Sequence, residues 1–112
     1  MDYWKSLDEI VRMNELVIDR PQGSQHPNFP GSIYPLDYGY LKGTRGGDGE
    51  GVDVWRGSLE SNKVQASIVT VDRLKADIEV KIIVSCTDEE IETVLNYHNT
   101  FGQSGIMVKR DS

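Results

Sequence analysis

The chain carries one cysteine, Cys86, so it forms no internal disulfide and no cysteine-rich zinc site. The flanking Ile82-Ile83-Val84-Ser85 and Thr87 read as the end of a strand, which makes Cys86 a buried, inert thiol rather than a nucleophile. No apolar run approaches the roughly 18 residues of a membrane span, and no secretory leader is read at the start. A soluble cytoplasmic protein that does not engage membranes is the expectation. Basic residues are few: 12 Lys and Arg against 18 Asp and Glu leave a net charge of −6. A nucleic acid partner is therefore excluded, because it calls for a basic face. The two histidines, His26 and His98, lie far apart without ligand spacing. There is no nucleophile elbow, no dinucleotide fingerprint and no P-loop, since the stretch from Gly43 to Gly51 lacks the Gly-Lys-Ser/Thr ending. With 112 residues and 38% of them hydrophobic, the chain is read as one domain over 1–112 with a modest core.

What is present is a succession of short elements. Trp4, Leu7 and Val11 recur at i, i+3, i+7, with Tyr3 and Ile10 alongside, and predict an amphipathic helix. Ser6 and Glu9 have the spacing of a capping box, which would start that helix at Ser6. Residues 16–18, 52–55, 64–71, 78–84 and 105–108 read as strands. In the fourth, Ile78, Val80, Ile82 and Val84 share one face, and Glu79, Lys81 and Ile83 share the other. Thr87 and Glu90 predict a capped helix in which Ile91, Val94, Leu95 and His98 form the apolar stripe, with Gly102 as its stop. Residues 21–33 are irregular because three prolines and two glycines interrupt them. Five glycines in the nine residues from Gly43 to Gly51 require a loop approached closely by backbone or ligand. The sum is an α+β domain with a helix near each end.

Chemistry concentrates in the middle of the chain. Asp48, Glu50 and Asp53 place three carboxylates within six residues, where a glycine loop meets a strand. Hard cations such as Mg²⁺ want oxygen ligands of this kind, though a solvated acidic turn has the same spacing. Asp72, Asp77 and Glu79, near Lys75 and Lys81, form a second acidic group, with exposed cross-strand ion pairs as the alternative. Tyr34, Tyr38 and Tyr40 offer hydroxyls to a phosphate oxygen or a water, and packing is the other role open to them.

These residues carry a resemblance. Tyr34-Pro35-x-x-Tyr38-Gly39-Tyr40, then Gly43-Thr44, then Asp48-Gly49-Glu50-x-x-Asp53-Val54 resembles the signature of the soluble family I inorganic pyrophosphatases. That family reads Tyr-Pro-x-Asn-Tyr-Gly followed by Asp-Gly-Asp-Pro-x-Asp-Val. Upstream, Ile18-Asp19-Arg20-Pro21 resembles the family's Glu-Ile-Pro; downstream, Glu79-Val80-Lys81 resembles its Asp-x-Lys. The resemblance covers about residues 16–100. It implies a small OB-like five-stranded β-barrel and Mg²⁺-dependent (or Mn²⁺-dependent) hydrolysis of pyrophosphate or a related diphosphate. It implies Asp48, Glu50, Asp53, Asp77 and Glu79 as metal ligands, and Glu50, Asp53, Tyr38 and Lys81 as catalytic residues. Asp19, Arg20, Tyr34, Lys42, Tyr97 and His98 are the corresponding candidates for substrate contact. It also implies a homo-oligomer, for which the Trp4, Leu7, Val11 face of the first helix is a candidate interface, with core packing as the equal alternative.

The chain departs from the family in its cations. The lysine of a Lys-Tyr-Glu segment is absent, and the chain reads Gly23-Ser24-Gln25-His26-Pro27-Asn28 there. The hairpin that carries an arginine is missing, and Tyr97-His98 stands where a Tyr-Lys pair is expected. Glu50 replaces an aspartate and is longer by one methylene. Arg20, Lys42, Arg45 or His26 are the cations left to substitute. These departures favour the alternative function, a catalytically weak or inactive metal-binding protein with a binding or regulatory role.

Overall fold

The computed structural model describes residues 1–100 and 102–111. Helix α1 (Tyr3–Met13) leads into strands β1 (Leu16–Arg20), β2 (Asp37–Leu41), β3 (Val52–Arg56), β4 (Val64–Asp72) and β5 (Asp77–Val84). Helix α2 (Asp88–His98) and strand β6 (Gln103–Lys109) complete the chain. The sheet order is β1-β2-β3-β5-β4-β6, antiparallel throughout except for the β3–β5 pair. The α+β class and the two terminal helices are as expected. The strand count is corrected from five to six, and among the described residues β1 and β6 remain edges, so the sheet is open. No helix is long and apolar enough to cross a membrane.

Strict alternation gives the sheet two faces with separate cores. On one, Trp55, Ala66, Ile68 and Ile83 pack with Tyr34 and Leu36 and with Ile91 and Val94 of α2. On the other, Leu41, Val54, Val64, Ile82 and Val84 pack against Trp4, Leu7 and Val11 of α1. Of the two roles open to the apolar stripe of α1, interface or core, the structure has the second: it is spent on the chain's own core. Its cap is Asp2, whose carboxylate accepts the Lys5 N–H, and not Ser6, which lies inside the helix. Asp8 on α1 accepts both from the Val64 N–H and from the Arg110 guanidinium, 2.9 Å away, and so ties the helix to β4 and the far end of the chain. The Thr87–Glu90 capping box forms as predicted. Glu90 also accepts from the Ser58 N–H, joining the start of α2 to the exit of β3. Cys86 is buried, and burial pushes its thiol up to about 12, consistent with an inert role.

Eleven residues of α1 cover only part of the second face. Beyond the helix, Ile78 and Val80 of β5, Val71 of β4, and Ile106 and Val108 of β6 stay in solvent; Ile78 is 66% and Ile106 67% exposed. The registers Val71↔Ile78, Val69↔Val80, Val69↔Ile106 and Ser67↔Val108 place them side by side as one apolar surface.

Strand β2 was not legible as a strand, because a glycine lies at its centre. Gly39 is there for proximity. A Cβ at this position would stand 1.8 Å from the Val17 carbonyl oxygen of β1, next to the bulge between Ile18 and Arg20. The pinch brings β1 close enough for Arg20 to pair with Tyr38 in the ladder.

Candidate active site

The α2 face of the sheet holds a cleft of about 580 Å³ at the end that the helix leaves uncovered. Register builds it. Tyr38↔Trp55 and Tyr40↔Asp53 put β2 and β3 side chains on the cleft side, and Thr70↔Glu79 and Ile68↔Lys81 do the same for β5 and β4. At the centre the Lys81 ammonium, itself buried, donates to Tyr38 Oη at 2.7 Å, Asp53 Oδ2 at 2.9 Å and Glu79 Oε2 at 2.9 Å. Burial alone would lower the Lys81 pKa. The Tyr38 oxygen and the Asp53 carboxylate outweigh burial and hold it above the ordinary lysine value, so the site keeps a fixed positive charge. Burial raises the Tyr38 hydroxyl, which stays protonated at neutral pH.

Eleven of the residues singled out in the sequence line this one cleft: Asp19, Arg20, Tyr34, Tyr38, Asp48, Glu50, Asp53, Glu79, Lys81, Tyr97 and His98. Lys42 and Asp77 do not. Asp77 faces Asp72 across the β4–β5 pair, and Asp72 is the member that lines the cleft. Asp48 and Glu50 come in on the glycine loop, where Asp48 Oδ1 accepts the Glu50 N–H at 2.9 Å. The carboxylate set offers only oxygen donors and so suits a hard divalent ion in its donor chemistry. As the side chains lie, no three His, Cys, Asp or Glu of the described residues are gathered closely enough to hold one. Asp53 and Glu79 instead share the Lys81 ammonium.

Phe29, Ser32 and Gln103, unmarked in the sequence, also line the cleft, as does Lys75, noted there only as a neighbour of the second acidic group. Lys75 arrives through an Asx turn in which Asp72 Oδ1 accepts from the N–H groups of Leu74 and Lys75. The turn itself is readable, but its position over the cleft depends on strand order. Arg20 reaches in from β1, donating to the Tyr34 hydroxyl at 2.5 Å with its guanidinium 5.6 Å from that ring. Asp37, in the signature position of an asparagine, accepts from the Gln22 N–H and pairs with Arg56 at 2.9 Å, outside the cleft. Those bonds, the Gln22 contact foremost, hold its pKa below the usual carboxylate value.

His98 ends α2 in the cleft wall with both ring nitrogens in use. Trp55 Nε1–H donates to its Nε2 at 2.9 Å, and its Nδ1 donates to Gln103 Oε1 at 2.9 Å. Gln103 in turn reaches Asp72. The bonding fixes a neutral ring, and burial holds its pKa down to about 4. In the unfolded chain the ring titrates near ~6.5. Between those values the unfolded state binds the extra proton, so stability is retained above about pH 6.5 and falls as pH drops toward 4. The whole loss is about 3 kcal/mol. Urea midpoints at pH 7.5 and pH 4.5 are expected to differ more for the native chain than for His98→Gln; equal pH dependence in the two would refute the assignment.

The fold that carries this cleft has a solved counterpart. Over 86% of this chain and 75% of the other, the structure is similar to the inorganic pyrophosphatase of Helicobacter pylori, with a TM-score of 0.55 at 14% identity. That likeness establishes a pyrophosphatase-like fold. No family model matches the chain, and no curated protein matches it.

Proposed function

We propose that the chain hydrolyses a phosphoanhydride, pyrophosphate or a related diphosphate, with Mg²⁺ or Mn²⁺. The observation that carries this reading is the Lys81 ammonium held between Tyr38, Asp53 and Glu79 in a cleft that also gathers Asp48 and Glu50. A net charge of −6 and a ring of carboxylates repel a polyanion unless divalent ions stand between them. Asp48, Glu50, Asp53 and Glu79 are the groups that would hold such ions, whose chemistry when bound is charge neutralisation and a more acidic water. The protonated Tyr38 donates to a phosphoryl oxygen, and the Lys81 ammonium does so in exchange for one of its carboxylates. Arg20 and Lys75 approach the same cleft from β1 and the β4–β5 turn and take the places of the cations that the signature leads one to expect. Glu50 Oε accepts the proton of the attacking water.

The test is phosphate release by the purified protein in Mg²⁺, native against Asp53→Asn. Metal-dependent release that falls at least ~100-fold in the variant, with an unchanged circular dichroism spectrum, is the expected result. Absence of turnover with any diphosphate, while the protein still binds Mg²⁺, would favour the inactive metal-binding reading.

The homo-oligomer belongs to the same proposal, with its surface moved from α1 to the bare apolar face of β4, β5 and β6. Light scattering is expected to give a multiple of 12.6 kDa, reduced by Ile106→Lys. A monomeric native chain would contradict it.

A further inference from the structure

The cleft is larger than pyrophosphate requires. At the ~30 Å³ that a water molecule takes in the liquid, the nine non-hydrogen atoms of pyrophosphate fill under half of the roughly 580 Å³ available. Hydrated cations can take part of the rest, but Phe29, His26 and Tyr34 also give the cleft an aromatic wall. There Phe29, 41% exposed, meets the His26 ring edge to face at 5.0 Å, and His26 stacks on Tyr34 at 5.7 Å and 8°. The pKa of the His26 ring is lowered, first by burial and then by the charges of Arg20 and Lys75. Its Nδ1 accepts the Asn28 N–H at 3.1 Å, which leaves the hydrogen on Nε2. Flat rings, one substantially open, thus adjoin the two cations at the cleft rim.

We propose that the ligand is an organic diphosphate ending in a flat, uncharged ring, of the nucleoside diphosphate class. Its ring lies on Phe29 and His26, and its diphosphate lies between Arg20, Lys75 and Lys81. Aromatic shelves of this kind bind bases through their π-faces without needing a particular base. This inference rests on the phosphoanhydride reading above and specifies its substrate. In the reaction, water adds to the terminal phosphorus and the bridging P–O bond breaks. The electron pair leaves on the oxygen of the organic monophosphate, and inorganic phosphate and a proton are released.

Binding separates the inference from the hydrolysis reading. Calorimetry in Mg²⁺ compares α,β-methylene adenosine diphosphate with methylenediphosphonate, which lacks the ring. The organic analogue is expected to bind at least tenfold tighter, and Phe29→Ala is expected to bring the ratio close to one. Equal affinities in the native chain, or a ratio that Phe29→Ala leaves intact, would overturn the inference whether or not any diphosphate is hydrolysed. If the tenfold preference holds and no phosphate is released from adenosine diphosphate or pyrophosphate, the ring site stands and hydrolysis fails.

Discussion

Lys81→Met is expected to lower stability by about 2–4 kcal/mol, toward the smaller end because about a quarter of each neighbouring carboxylate is open to water. Among the described residues the ammonium is the one group bonded to Asp53 and Glu79 together. Its removal leaves two carboxylates facing each other in a partly buried wall, with the Tyr38 hydroxyl the remaining donor. The same change frees both carboxylates for a divalent ion, which in the native chain has to compete with a fixed charge. Millimolar Mg²⁺ is therefore expected to raise the thermal midpoint of the variant more than that of the native protein, because a ligand of the folded state stabilises by mass action. Phosphate release, by contrast, is expected to fall in the variant, because under the proposed function Nζ donates to the substrate a hydrogen bond that Mg²⁺ would not replace. A midpoint that Mg²⁺ leaves unchanged in both proteins would contradict the placement of the cations at Asp53 and Glu79.

Gly39→Ala is expected to be the most damaging single change to the fold, at about 3–5 kcal/mol. The added Cβ would lie 1.8 Å from the Val17 carbonyl oxygen and 2.9 Å from the Ile18 Cα, both backbone atoms that no side-chain rotation can move aside. Relief requires β1 to withdraw from β2. That movement takes Asp19 and Arg20 out of the cleft, so residual activity is expected to drop with stability. Chemical denaturation compared with Gly47→Ala, where an added Cβ meets nothing within 4 Å, checks the claim. Similar losses at the two positions would show that loop entropy, and not the backbone approach, sets the effect.

The sequence disclosed the elements whose periodicity is strong. The α2 cap, the alternation in β5 and the apolar stripe of α1 were all readable from local pattern, because each depends on residues within two turns or one strand. Strand β2 was hidden because Gly39 answers to a neighbour twenty-two positions earlier in the chain, and no local preference records that. For the same reason the α1 stripe was legible as apolar while its partner was not: nothing local distinguishes a helix face that packs on Leu41, Val54 and Ile82 from one that meets another subunit.

The site divides in the same way. Asp48, Glu50, Asp53, Glu79 and Lys81 stood out because the resemblance fixes their spacing, and all five line the cleft. Phe29 stayed unmarked and Lys75 was legible only as a neighbour of the second acidic group, since their approach depends on an irregular segment and a turn brought over the sheet by tertiary packing. His98 was legible as a member of the α2 stripe. Its partners Trp55 and Gln103 were not, one being forty-three residues away and the other across the turn into β6.

Under the proposed function, divalent cations turn an acidic cleft into a site for a diphosphate. Calorimetric titration with imidodiphosphate, which resists hydrolysis, in Mg²⁺ and again in a chelator puts this to the test. Binding in Mg²⁺, none in the chelator, and a large loss in Mg²⁺ for Asp53→Asn are expected. Equal binding with and without the metal, or no binding in either, would contradict it.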